Sequence, residues 1–149
     1  AVGTLAYDFG VLYKTGFRSL NLALSIRNFS QELRYEEENF ELPLTFRIGV
    51  MMDIFDLTNL NPDMHSFIFS VDTERPRDFS EQIKVGGEYL FMNTFALRAG
   101  YIYPTDEQGF NAGIGLYQSL GGINFGFDYA YSEFGVFGDV NRFSLHVNF

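Results

Sequence analysis

Reading back from the end of the chain, apolar and polar residues alternate without a break. Phe143, Leu145, Val147 and Phe149 stand against Arg142, Ser144, His146 and Asn148. Successive side chains of a strand point to opposite faces, so strict period-two alternation predicts a strand with one apolar and one polar face. The preceding segment repeats the pattern, with Ile123, Phe125, Phe127, Tyr129 and Tyr131 against Asn124, Gly126, Asp128, Ala130 and Ser132. Further back, Phe95 to Tyr103, Ile83 to Phe91, Leu44 to Asp53 and Ser19 to Arg27 behave alike, and Phe110 to Tyr117, Met64 to Glu74 and Leu5 to Tyr13 do so more weakly. About nine strands are expected, each near the ten residues that a tilted membrane-crossing strand needs. No segment carries a helical stripe; Ser30 to Glu38 comes nearest, but its run of Glu36, Glu37 and Glu38 repels itself and reads as a solvated loop.

The polar face decides the environment. A soluble sheet buries its apolar face, whereas a membrane barrel turns that face to lipid and keeps the polar face inside. Asp8, Arg27, Arg47, Asp53, Asp72, Lys84, Glu88, Arg98, Asp128 and Arg142 mix both signs on the polar face, interleaved with Gly and Ala. Gly weakens a solvent-facing strand, but a crowded lumen needs small residues beside paired charges. If Phe149 lies at the periplasmic rim, alternation puts Tyr101, Tyr103, Tyr129 and Tyr131 at the outer rim and Tyr13, Tyr89 and Phe91 at the inner one. These would form two aromatic girdles at headgroup level. The same orientation makes 29–41, 75–80, 104–109 and 133–140 outer loops, and makes 14–18, 92–93 and 119–121 tight inner turns. Phe55 to Asp63 is an inner connection of unexplained length. The expected architecture is therefore an all-β, antiparallel, up-and-down transmembrane β-barrel.

Composition narrows the function classes. Eighteen Phe, nine Tyr and fifteen Gly in 149 residues, with 46% hydrophobic residues and a mean hydropathy of −0.03, fit the interleaving. A net charge of −9 argues against a nucleic-acid surface. With no Cys there are no disulfides, thiolate ligands or Cys nucleophiles. Ala1 to Gly10 does not read as a signal peptide, and no apolar run reaches membrane-helix length. His65 and His146 lie in no metal-ligand or acid–base motif, and no phosphate loop or nucleophile elbow is present. Neither enzymatic activity nor a cofactor is expected. The polar-face charges are the sharpest candidates, expected to pair with each other across strands rather than line a solute path.

Several segments resemble the C-terminal half of PorV/PorQ-type outer-membrane proteins. They are Gly16 to Asn28 (GFRSLNLALSIRN), Leu42 to Gly49 (LPLTFRIG), Ala96 to Tyr101 (ALRAGY) and Phe127 to Gly135 (FDYAYSEFG). The closing strand, with Phe143, Leu145, Val147 and Phe149, resembles the terminal signal read by barrel-assembly machinery. The resemblance implies a FadL-like barrel of about fourteen strands, located in the bacterial outer membrane. It implies partnership with type IX secretion components and cargo sorting domains, and a role in secretion or surface attachment. Arg34 to Phe40 and Phe134 to Val140 are the surfaces expected to meet them. With about nine strands, residues 1–149 would be a single barrel segment whose N-terminal strands are missing; a closed nine-stranded barrel is the other possibility. The alternative functions are a FadL-like transporter of hydrophobic molecules and a soluble binding sandwich with a Phe and Tyr core.

Overall fold

The computed structural model describes residues 5–30, 33–35, 38–40, 44–77, 80–105 and 109–149. Parts of the outer loops named above, residues 31–32, 36–37, 41, 78–79 and 106–108, lie outside the described residues, as do Leu42 and Pro43 of the LPLTFRIG segment.

Nine strands form one sheet. In chain order they are β1 (Ala6–Lys14), β2 (Asn21–Ser30), β5 (Thr45–Asp53), β6 (His65–Pro76), β7 (Gln82–Phe91), β8 (Phe95–Tyr103), β9 (Phe110–Leu120), β10 (Ile123–Glu133) and β11 (Asp139–Asn148). Each pairs antiparallel with its neighbour in sequence, an up-and-down meander without crossovers. The sheet is open: β1 pairs only with β2, and β11 only with β10. No α-helix occurs among the described residues, and no helix is long and apolar enough to cross a membrane.

Strand register keeps the two faces separate across the whole sheet. Arg98 of β8 stands opposite Glu88 of β7, and Asp128 of β10 stands opposite Gly115 of β9 and Ser144 of β11. Apolar partners likewise meet apolar partners, as in Leu97 with Tyr89 and Ile114, or Phe127 with Leu116 and Leu145. A one-residue slip anywhere would exchange the faces, so the alternation itself fixes the register. The single irregularity lies between β1 and β2, where Tyr7 pairs with Phe29 but Phe9 with Ile26. The extra residue is accommodated by Asn28, whose φ is 58° and whose N–H donates to Asp8 Oδ1 at 2.8 Å.

The two ends of the sheet differ. At one end the connections are residues 15–20, 54–64, 92–94 and 121–122; at the other they are 31–44, 77–81, 104–109 and 134–138. The tightest is Gly121-Gly122, with φ of 59° and 86°, the left-handed pair that a two-residue hairpin matched to strand twist demands.

Two connections differ from the expectation. The stretch from Ser30 to Glu38, expected to be a plain loop, includes β3 (Leu33–Tyr35), which pairs antiparallel with β4 (Glu38–Phe40). The long connection after β5 starts with a 3-10 turn, Ile54–Leu57, capped by Asp53. Asp53 Oδ1 accepts from Phe55 N at 2.9 Å and from Phe67 N at 3.0 Å. The turn lays Phe55 on Phe67 and Tyr89, with ring centroids 5.9 and 6.0 Å apart. The length of this connection thus serves to bring an aromatic ring back onto the apolar face.

Candidate functional site

The charged face gathers half of its ten candidates into two clusters that run across the strands. The larger is centred on Arg98 of β8. Its Nε bonds the Glu88 carboxylate, its Nη1 donates to Asp128 Oδ1 at 2.7 Å, and its Nη2 bonds the Tyr117 hydroxyl. Tyr117 in turn donates to Asp128 Oδ1 at 2.6 Å, and His146 Nε2 lies 3.5 Å from Asp128 Oδ2. Five adjacent strands, β7 to β11, each contribute one residue. In the smaller cluster Glu74 of β6 binds Arg47 of β5 at 2.8 Å and also Lys84 of β7.

Opposite charges therefore meet across strands, as the sequence led us to expect for this face. Both clusters hold one sign between two of the other: Lys84 and Arg47 flank Glu74, and Glu88 and Asp128 flank Arg98. Such an arrangement compensates charge locally and ties strands laterally, where each carboxylate gains at least one charge-assisted bond.

The remaining candidates behave differently. Asp53 serves as the cap described above, and Asp8 holds the bulge. Asp72 stands opposite Gly49 and Lys84 in register, but Lys84 bonds Glu74 instead. Arg27 and Arg142 are exposed, and Arg142 lies on the edge strand opposite Ala130. Of the aromatic candidates, Tyr13, Tyr89 and Phe91 stand at the short-turn ends of β1 and β7, and Tyr101 and Tyr103 at the long-loop end of β8. Tyr129 and Tyr131 occupy the long-loop half of β10, where the Tyr129 ring packs against Phe143 at 5.0 Å. Phe143, Leu145 and Val147 lie exposed along β11, and Phe149 follows it.

Three participants escape the candidate set. Glu74 is missed because its strand alternates weakly, although it stands two residues from Asp72 and so shares its face. Tyr117 is missed because an aromatic ring suggests the apolar face; its parity with Gly113 and Gly115 is the signal that places it on the other. His146 stands on the polar face but belongs to no recognisable motif, and only Asp128 gives it a partner.

Burial separates the faces in the opposite sense to a soluble sheet. The four fully buried residues among those described, Gly49, Ala96, Gly115 and Gly126, all lie on the charged face. The large residues of the other face are exposed, for example Leu97 at 56% and Leu145 at 72%. The small residues make room for the clusters. A Cβ on Gly115 would come within 2.8 Å of Asp128 Oδ1 and 2.9 Å of the Tyr117 hydroxyl, and one on Gly49 within 2.1 Å of Asp72 Oδ1. Gly115→Val is therefore expected to push Tyr117 and Asp128 apart and lower stability by about 1–3 kcal/mol, read as a shifted denaturant midpoint. An unchanged midpoint would show that the cluster tolerates the added volume.

No group of metal-ligating side chains that could hold an ion occurs among the described residues. Comparison with protein-family models, with curated proteins and with solved structures finds no match to this chain.

Proposed function

We propose that the chain forms part of a transmembrane β-barrel of the bacterial outer membrane, with its apolar face toward lipid and its charged face toward the lumen. The observation that carries this reading is the distribution of burial. Ion pairs and the four buried residues among those described share one face, while Phe, Leu, Ile and Tyr lie exposed over the other. Soluble monomers rarely leave an apolar surface open that continues from strand to strand across a whole sheet. Lipid is the solvent that covers it without a partner.

Strand parity supports a barrel larger than this sheet. In nine antiparallel strands the first and last run in the same direction, so β1 and β11 cannot meet antiparallel. Rotation about the membrane normal preserves strand direction, so joining further copies side by side leaves the same mismatch. Closure by antiparallel pairing requires an odd number of additional strands; a barrel of about fourteen would take about five more.

Within this class, the segments that resemble PorV/PorQ-type proteins favour a non-enzymatic role in type IX protein secretion or surface attachment of cargo. In that role the lipid bilayer and barrel-assembly machinery act during insertion, and secretion components and sorting domains meet the outer loops. The charged lumen face supports this over passage of hydrophobic solutes, which asks for an apolar lining.

Refolding with and without detergent micelles tests the membrane reading. A strand-rich, monodisperse species should form only with micelles, as followed by circular dichroism and size. A stable monomer in plain buffer would overturn it. Deletion of residues 134–140 in the native host should reduce cargo attachment; unchanged attachment would remove that loop from the secretion role.

A further inference from the structure

The charged face changes character toward the short-turn end. There a cavity of about 530 Å³ opens between the 92–94 turn and strands β9 to β11, and none of its lining residues is Asp, Glu, Lys or Arg. Its floor is laid out by register in two rows. Ser119, Asn124 and Asn148 stand side by side on β9, β10 and β11. One step along, Tyr117, Gly126 and His146 do the same, and Thr94 extends that row through a backbone bond from Tyr117 N to its carbonyl at 2.8 Å.

Tyr117 is the centre of this arrangement. Gly126 beside it has no side chain, and the ring lies over that gap: a Cβ on Gly126 would come within 3.0 Å of Tyr117 Cδ1. Its hydroxyl is held by both Arg98 and Asp128, so the ring cannot swing away. An immobilised aromatic surface thus forms a floor, bordered by side-chain amides and hydroxyls. Ser119 donates its hydroxyl proton to Asn124 Oδ1, which leaves the Asn124 side-chain NH2 as a donor; the side-chain amide of Asn148 makes no hydrogen bond within the described residues.

The chemistry of this lining selects a ligand class. An anion would call for a fixed cation and a cation for a carboxylate, and the lining has neither. An apolar ligand would leave the amides unpaired, at a cost of 1–3 kcal/mol for each desolvated group (roughly). A ring with one flat C–H face and hydroxyls around its edge satisfies both parts: the face stacks on Tyr117 and the edge pairs with Asn124, Asn148, Ser119 and His146. We propose that this cavity binds an uncharged saccharide. The site is formed by the short-turn ends of β9 to β11 with the 92–94 turn and does not depend on the membrane reading.

The test is calorimetric titration of the refolded full chain, in a zwitterionic detergent without a sugar headgroup, with maltose and N,N′-diacetylchitobiose. Glucuronate and glucosamine serve as the charged comparison. At least one uncharged sugar should bind saturably at one site. Tyr117→Ala should weaken binding about tenfold or more, equivalent to about 1.4 kcal/mol. Asn124→Ala and Asn148→Ala should weaken it several-fold; they lie outside the Arg98 cluster, and so report on the site even if Tyr117→Ala fails to fold. Absence of saturable binding to folded protein, binding of charged sugars alone, or wild-type affinity in the Asn124 and Asn148 variants would each overturn the proposal. If the chain folds in plain buffer instead, the membrane reading fails and the same titration there still decides the saccharide site.

Discussion

Arg98→Met is expected to lower unfolding stability by about 2–4 kcal/mol, one of the two largest effects of a single change in this chain. Methionine preserves the length and apolar stem of the side chain, so the loss isolates the guanidinium. Without it, Glu88 and Asp128 face a confined region with no cation between them, and the Tyr117 hydroxyl loses one of its two partners. Removing one member of a fully buried pair usually costs about 3–5 kcal/mol. Here the Arg98 side chain is 35% exposed, so water partly compensates and the cost falls to the low end of that range or below it. Arg98→Lys should recover less than half of the loss, because one ammonium cannot reach three partners that a planar guanidinium meets in different directions. Glu88→Gln added to Arg98→Met should restore part of the stability by removing the orphaned charge. Denaturant unfolding of the refolded proteins gives all three values. Equal stability of wild type and Arg98→Met would mean that the cluster is a solvated surface network and not a lateral tie.

The faces of this sheet were legible in the sequence, but the contacts on them were not, and the reason is geometric. Alternation reports parity, which the pleat converts directly into a face. The assignment of Arg98, Asp128 and Lys84 to one side needed nothing more. Partnership depends on register and on depth along neighbouring strands, and parity is silent about both. Arg98 reaches Asp128 two strands away, past Gly113 and Gly115, because these glycines leave the space between them open. Asp72, the register partner of Lys84, loses that lysine to Glu74, two residues along the same strand. Tyr117 illustrates the opposite failure: residue type suggested one face and parity the other, and parity won because a polar partner waits for its hydroxyl. The connection at residues 54–64 could not be read at all. Its purpose is a contact between Phe55 and rings more than ten residues further along the chain, and no local pattern encodes such a contact.

The second large effect concerns the other face and distinguishes solvents. Ile114 lies in the middle of β9, 49% exposed, between Leu97 of β8 and Tyr129 of β10. If that face meets hydrocarbon, Ile114→Arg places a guanidinium near the bilayer midplane and should lower folding stability in lipid by about 2–4 kcal/mol. Tyr103, at the long-loop end of β8 and 64% exposed, is the matched comparison. There an arginine reaches the headgroups, and Tyr103→Arg should cost about 0–1 kcal/mol. The depth dependence matters more than either value. Water in contact with the same face would treat two exposed positions alike, and an arginine at either would raise solubility without destabilising the fold. A protein partner covering the face would penalise whichever position it packs against most closely, with no reason to spare the strand end. Refolding titrations in vesicles, with both variants measured beside the wild type, therefore test more than insertion. A steep midplane penalty with a tolerant rim assigns the face to lipid, whereas equal penalties at the two depths would return it to a protein interface and remove the basis for the barrel.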